Sequence, residues 1–111
     1  VKMGVNISEI LAEKGEEQFR KFFNRSYPYF LPMLQQKALQ ALTAKEVVGC
    51  MLMALKKDNA EIADMLHVAR KSVNMSKYRI RKKFELQEGV TLEDYIVKIL
   101  EEAKKKQAEE N

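Results

Sequence analysis

The stretch NAEIADMLHVARKSVNMSKYRIRKKF, from Asn59 to Phe84, holds two helical patterns joined by the tripeptide His67-Val68-Ala69. In the first, Asn59 is placed to cap a short helix whose Ile62, Ala63 and Leu66 turn inward at helical spacing. In the second, Val73, Ile80 and Phe84 fall within about 40° of one another at roughly 100° per residue, flanked by Ala69 and Ser76. That face is the inside. Lys71, Met75, Tyr78 and Lys82 lie opposite, with Asn74 and Arg81 along one edge and Ser72, Arg79 and Lys83 along the other. Ala63 supplies the small side chain needed where the two helices touch, and Leu66, Val68 and Val73 supply the packing between them.

Charge separates this stretch from the rest of the chain. Residues 67–84 carry seven cations and no carboxylate, while the whole chain is only +4, so the remainder is net acidic. Solvated helix faces usually interleave Glu with Lys, because opposite charges four residues apart attract and like charges repel. A face of one sign implies a polyanionic partner. Among its cations the face also displays Ser72, Asn74, Met75 and Tyr78, which offer the hydrogen bonds and apolar contacts suited to base edges. A short helix, a three-residue turn and a longer basic helix is the layout of a helix-turn-helix, whose second helix enters the major groove. The amides at the start of the first helix, near Asn59, can receive a phosphate.

Outward from this stretch the chain reads as all-α. It is rich in Leu, Ala, Lys, Glu, Gln and Met, with four Gly, two Pro and no Trp in 111 residues. Residues 1–7 read as a lead-in, and a helix from about Ser8 carries Ile10, Leu11, Phe19, Phe22 and Phe23. SYPYFLPMLQQ (Ser26–Gln36) breaks and restarts the helix at its two prolines, its aromatics covering the next unit. In Leu42-Thr43-Ala44-Lys45-Glu46-Val47 the Thr43 hydroxyl and the Glu46 carboxylate form a capping box, with Leu42 and Val47 as a hydrophobic staple. The helix it opens runs to about Lys56. A last helix opens at Thr91, with Leu92, Tyr95, Ile96, Ile99 and Leu100 as its apolar stripe, and KKKQAEEN (residues 104–111) reads as a fraying tail.

The longest charge-free apolar run, Val47–Leu55, is about half a membrane span, and no secretory signal opens the chain, so a cytoplasmic setting is expected. The single Cys50 lies among Val48, Met51 and Leu52 and reads as a buried core residue. His67, the one histidine, sits in the turn, where it suits a structural role better than phosphotransfer; with no second His or Cys pair, neither catalysis nor a metal or cofactor is expected. The chain opens on Val1, as a piece of a longer protein would.

LTAKE (Leu42–Glu46), AEIADMLHVARKSV (Ala60–Val73) and YRIRKKF (Tyr78–Phe84) together resemble the LuxR-type, or GerE-like, helix-turn-helix of bacterial transcription regulators, over roughly Leu42–Leu100. The resemblance implies a four-helix domain (42–103) behind a short helical segment (1–41), read as the end of a sensor or linker region, and before a charged tail (104–111). Its third helix, about 70–84, would read the groove of double-stranded DNA, and its fourth would support a homodimer. The resemblance matches Lys71, Ser72, Asn74 and Met75 to base-facing positions and Arg79, Lys82 and Lys83 to phosphate-facing ones; on the reading of the faces above, Tyr78 would join the first set and Asn59, Arg70 and Arg81 the second. Leu92, Tyr95, Ile96 and Ile99 would form the dimer interface. In two places the chain departs from the family: Ala69 stands where a capping Ser is usual, and Lys56-Lys57-Asp58 replaces a loop that often contains Gly. Two other functions share some of these features, a protein-interaction module whose basic helix meets an acidic partner and the DNA-binding part of a sigma-like factor.

Overall fold

A computed structural model describes residues 7–110, apart from the Ser8 side chain; the expected lead-in therefore falls almost wholly outside the described residues. The described residues form seven helices: α1 (Ile7–Lys14), α2 (Glu16–Ser26), α3 (Phe30–Lys37), α4 (Ala44–Ala54), α5 (Asn59–Leu66), α6 (Arg70–Phe84) and α7 (Leu92–Glu109). No strand occurs among them.

At the centre lies α4, buried nearly all round through Val47, Val48, Cys50, Met51, Leu52, Met53 and Ala54, as its unbroken apolar run requires. Its start is the expected capping box: the Glu46 amide donates to Thr43 Oγ1 at 3.1 Å and the Thr43 amide to Glu46 Oε1 at 2.9 Å. It ends two residues before Lys56. Lys56 adopts φ 65°, and the amides of Lys57 and Lys56 close back on the carbonyls of Leu52 and Met53 at 3.1 and 2.9 Å. This is a Schellman ending with lysine in the left-handed position where glycine is usual.

The helix expected from Ser8 is in fact two. Gly15, at φ 90°, breaks it between α1 and α2, in a backbone region that a side chain disfavours. Of the two prolines only Pro28 interrupts the chain. Pro32 is the third residue of α3, where an amide has no intrahelical acceptor to lose. The Phe23 ring centre lies 5.0 Å from that of Tyr27 and 5.2 Å from that of Phe30; the two buried phenylalanines share one hydrophobic cluster with α4 and α7, and the half-buried Tyr27 packs against it.

Asp58, not Asn59, caps α5. The Glu61 amide donates to Asp58 Oδ1 at 2.8 Å and the Asp58 amide to Glu61 Oε1 at 3.0 Å. A carboxylate three residues ahead of a Glu satisfies two end amides at once, which leaves the Asn59 side chain available for other partners. His67 then takes the left-handed cap (φ 57°), the Val68 amide returns to the Ala63 carbonyl at 3.0 Å, and α6 begins at Arg70. Ala63 is buried as expected, but Val68 stays 38% exposed.

Thr91 caps α7 by accepting the Asp94 amide at 3.2 Å. The helix does not fray at Lys104. Tertiary contacts outweigh its lack of apolar residues: the ammoniums of Lys104 and Lys106 lie over the Tyr27 and Tyr29 rings at 5.4 and 4.9 Å, Glu102 pairs with Lys37 at 3.7 Å, and the Tyr29 hydroxyl donates to Glu110.

Candidate nucleic-acid interface

Val73, Ile80 and Phe84 anchor α6 to the core at 5% exposure or less, as its periodicity predicts. The far side of the helix presents Arg70, Lys71, Ser72, Asn74, Met75, Tyr78, Arg79 and Lys82 to solvent. The Lys82 ammonium rests 4.9 Å from the centre of the Tyr78 ring, a cation–π contact that orients both side chains.

The seven cations of α6 fall into two sets. Lys77 donates to Glu93 Oε2 at 2.7 Å and to Asn59 Oδ1, bridging α7 and α5. Arg81 donates to the carbonyls of Gln87, at 2.8 Å, and Val90, holding the loop to α7 against the helix end. Lys83 donates to Glu46 Oε1 at 2.6 Å, and its carbonyl accepts the Leu39 amide at 2.8 Å. Among the described residues Arg70, Lys71, Arg79 and Lys82 make no ion pair. Arg81 and Lys83, which the periodicity places along the edges of the stripe, lie close enough to the neighbouring elements to be engaged.

Burial works to raise the pKa of Glu46, but hydrogen bonds from Lys83 and Thr43 outweigh it and leave the carboxyl below its ordinary value. Glu93 follows the same pattern, with Lys77 as the main opposing donor. Burial, reinforced by the charge of Glu46, pushes the Cys50 thiol up to about 12.

Asn59 and Asn74, predicted for a phosphate and a base, lie against one another, the Asn59 amide nitrogen donating to Asn74 Oδ1 at 2.7 Å. Two carboxylates, Asp58 and Glu61, occupy the start of α5, where a phosphate was expected. Leu92, Ile96 and Ile99 are at most 4% exposed in the core of the same chain, and Tyr95 packs 5.3 Å from Phe84. These side chains bring α7 onto its own bundle. Three residues had no expected tertiary role: Glu46, Glu93 and Lys77. A signal for Glu46 lay in its position, since a carboxylate beside Val47 and Cys50 on a buried face requires a cation.

Residues 40–96, just over half of the chain, match the model of a family described as bacterial regulatory proteins, luxR family. The chain belongs to the luxR family. Its family region begins in the segment before α4 and ends within α7, and so contains the helix-turn-helix of α5 and α6, a DNA-binding unit of bacterial regulators. No curated protein and no solved structure gave a match. Among the described residues no helix is long and apolar enough to cross a membrane, and no cluster of His, Cys, Asp or Glu is placed to hold a metal ion.

Proposed function

We propose that this luxR-family chain regulates transcription by sequence-specific binding of double-stranded DNA, with α6 in the major groove, in the bacterial cytoplasm. The observation that carries the reading is the division of the α6 cations. Lys77, Arg81 and Lys83 have internal partners, whereas Arg70, Lys71, Arg79 and Lys82 all remain on one exposed, acid-free face with Ser72, Met75 and Tyr78 between them. A phosphate backbone offsets the repulsion within such a face. Lys71, Ser72, Met75 and Tyr78 face the bases in this proposal, and Arg70, Arg79 and Lys82 the phosphates.

Binding as a homodimer on two half-sites is supported by the family resemblance, with a contact surface other than the buried stripe of α7. Selection of bound sites from a random duplex pool at stated salt tests the whole proposal. Enrichment of a defined motif supports it, and two half-sites in that motif, with a doubled mass on DNA, support the dimer. Absence of enrichment, together with tight binding to an acidic protein, would assign the basic face to protein interaction.

A further inference from the structure

Met75 is 51% and Tyr78 61% exposed. Single exposed apolar residues need no explanation, but these two stand three residues apart on the same helix face, between Lys71 and Lys82, and with Lys71, Asn74 and Arg79 they line one shallow depression. The polar group best suited to a base on that face is already engaged. Asn74 Oδ1 accepts from Asn59 at 2.7 Å, Asn59 Oδ1 accepts from Lys77, and Lys77 pairs with Glu93 at 2.7 Å. The bidentate pairing of an Asn with adenine needs both its oxygen as acceptor and its nitrogen as donor. Supplying the oxygen would leave the Asn59 amide without its acceptor and break a chain of contacts running through three helices. Between Lys71 and Lys82, the apolar groups free to meet a base edge are the Met75 thioether and the Tyr78 ring.

The apolar feature of a major-groove edge is the C5 methyl of thymine, and a methylated cytosine presents the same group. Resting on the DNA-binding proposal above, we infer that Met75 and Tyr78 recognise the C5 methyl groups of pyrimidines, and that Asn59 is a positioning residue that holds Asn74 aside. The Lys82 ammonium, 4.9 Å from the Tyr78 ring, leaves the rest of the ring for the base edge and brings its charge toward the phosphates.

The test uses the full chain and the site it selects. Each thymine is replaced in turn by uracil, which keeps every hydrogen-bonding group and removes only the methyl, and affinity is read by fluorescence anisotropy. At the thymines that are read, the wild-type chain should bind the uracil duplex about fourfold more weakly, the equivalent of one buried methyl. Met75→Ala or Tyr78→Ala should reduce that ratio to near one, and both variants should keep wild-type helicity because the side chains are exposed. In a second series, 5-methylcytosine replaces each cytosine. A gain there, lost in Met75→Ala, with no loss at any thymine, supports methyl recognition with methylated cytosine as its source. Sequence-specific binding that is indifferent to every methyl, or a methyl effect unchanged in both variants, overturns the inference and leaves DNA binding intact. Failure to select any sequence overturns the DNA-binding proposal and this inference together.

Discussion

Replacing Lys83 with Met should cost stability in place of DNA contacts. The Glu46 side chain is 6% exposed and that of Lys83 19%, with 2.6 Å between their charged atoms. Removing one partner of a buried ion pair typically costs about 3–5 kcal/mol, because the other charge is left unpaired. Here the Glu46 carboxylate keeps the Thr43 amide at 2.9 Å, and the Met side chain covers the same apolar surface as the lysine stem. We therefore expect a smaller loss, about 2–3 kcal/mol at pH 7, near the value of a charged hydrogen bond. The pH dependence follows from the lowered pKa of Glu46. Its stabilisation is present above the unfolded carboxyl pKa of about 4.3 and is lost as pH falls through the depressed folded value. In Lys83→Met the largest opposing donor is gone, so burial raises the folded pKa of Glu46. The stability gap between the two chains should then narrow as pH falls through the carboxyl range and close once it passes the depressed folded value of the wild type. Urea unfolding followed by circular dichroism at pH 7 and pH 3.5 measures both effects. A loss below about 0.5 kcal/mol at pH 7, or the same loss at both pH values, would refute the pairing. So would a fully stable variant whose DNA binding had become one counterion less salt-dependent, since Lys83 would then be meeting a phosphate.

Lys82→Ala should behave in the opposite way, leaving stability within about 0.5 kcal/mol and lowering the slope of log affinity against log salt by about 0.9 on any DNA sequence; an unchanged slope would remove Lys82 from the phosphate contacts. Because Ala69 provides no side-chain cap for α6, Ala69→Ser should add about 1 kcal/mol, seen as a higher urea midpoint and slower hydrogen exchange at the Ser72 amide. With its thiol pKa at about 12, Cys50 in the folded chain at pH 8 should hold roughly a thousandfold less thiolate than an ordinary cysteine. Alkylation should therefore follow the unfolded fraction through a urea titration, and rapid labelling of the native chain would contradict its burial.

Features that depend on neighbours within four residues were legible in the sequence. The Thr43–Glu46 capping box, the bounds of α6 and its inward face of Val73, Ile80 and Phe84 all follow from helical spacing and cap chemistry. So does the missing cap at Ala69. Errors arose where two local solutions competed or where a contact lay far along the chain. Both Asp58 and Asn59 can cap a helix, and the Glu three residues beyond Asp58 decides between them. The apolar stripe of α7 suited a partner copy as well as its own bundle, and only packing assigned Leu92, Ile96 and Ile99 to the core.

The sequence by itself determined an all-helical chain with a helix-turn-helix and one acid-free basic helix, because periodicity, caps and charge are written along the chain. Tertiary structure decided which of those cations remain free. Glu93 takes Lys77, the carbonyls of Gln87 and Val90 take Arg81, and Glu46, 37 residues away, takes Lys83. Such pairings depend on which helix ends meet in space, and no spacing within α6 encodes them. Folding thereby narrows a uniform run of seven positive charges to the four that face outward, with Met75 and Tyr78 between them.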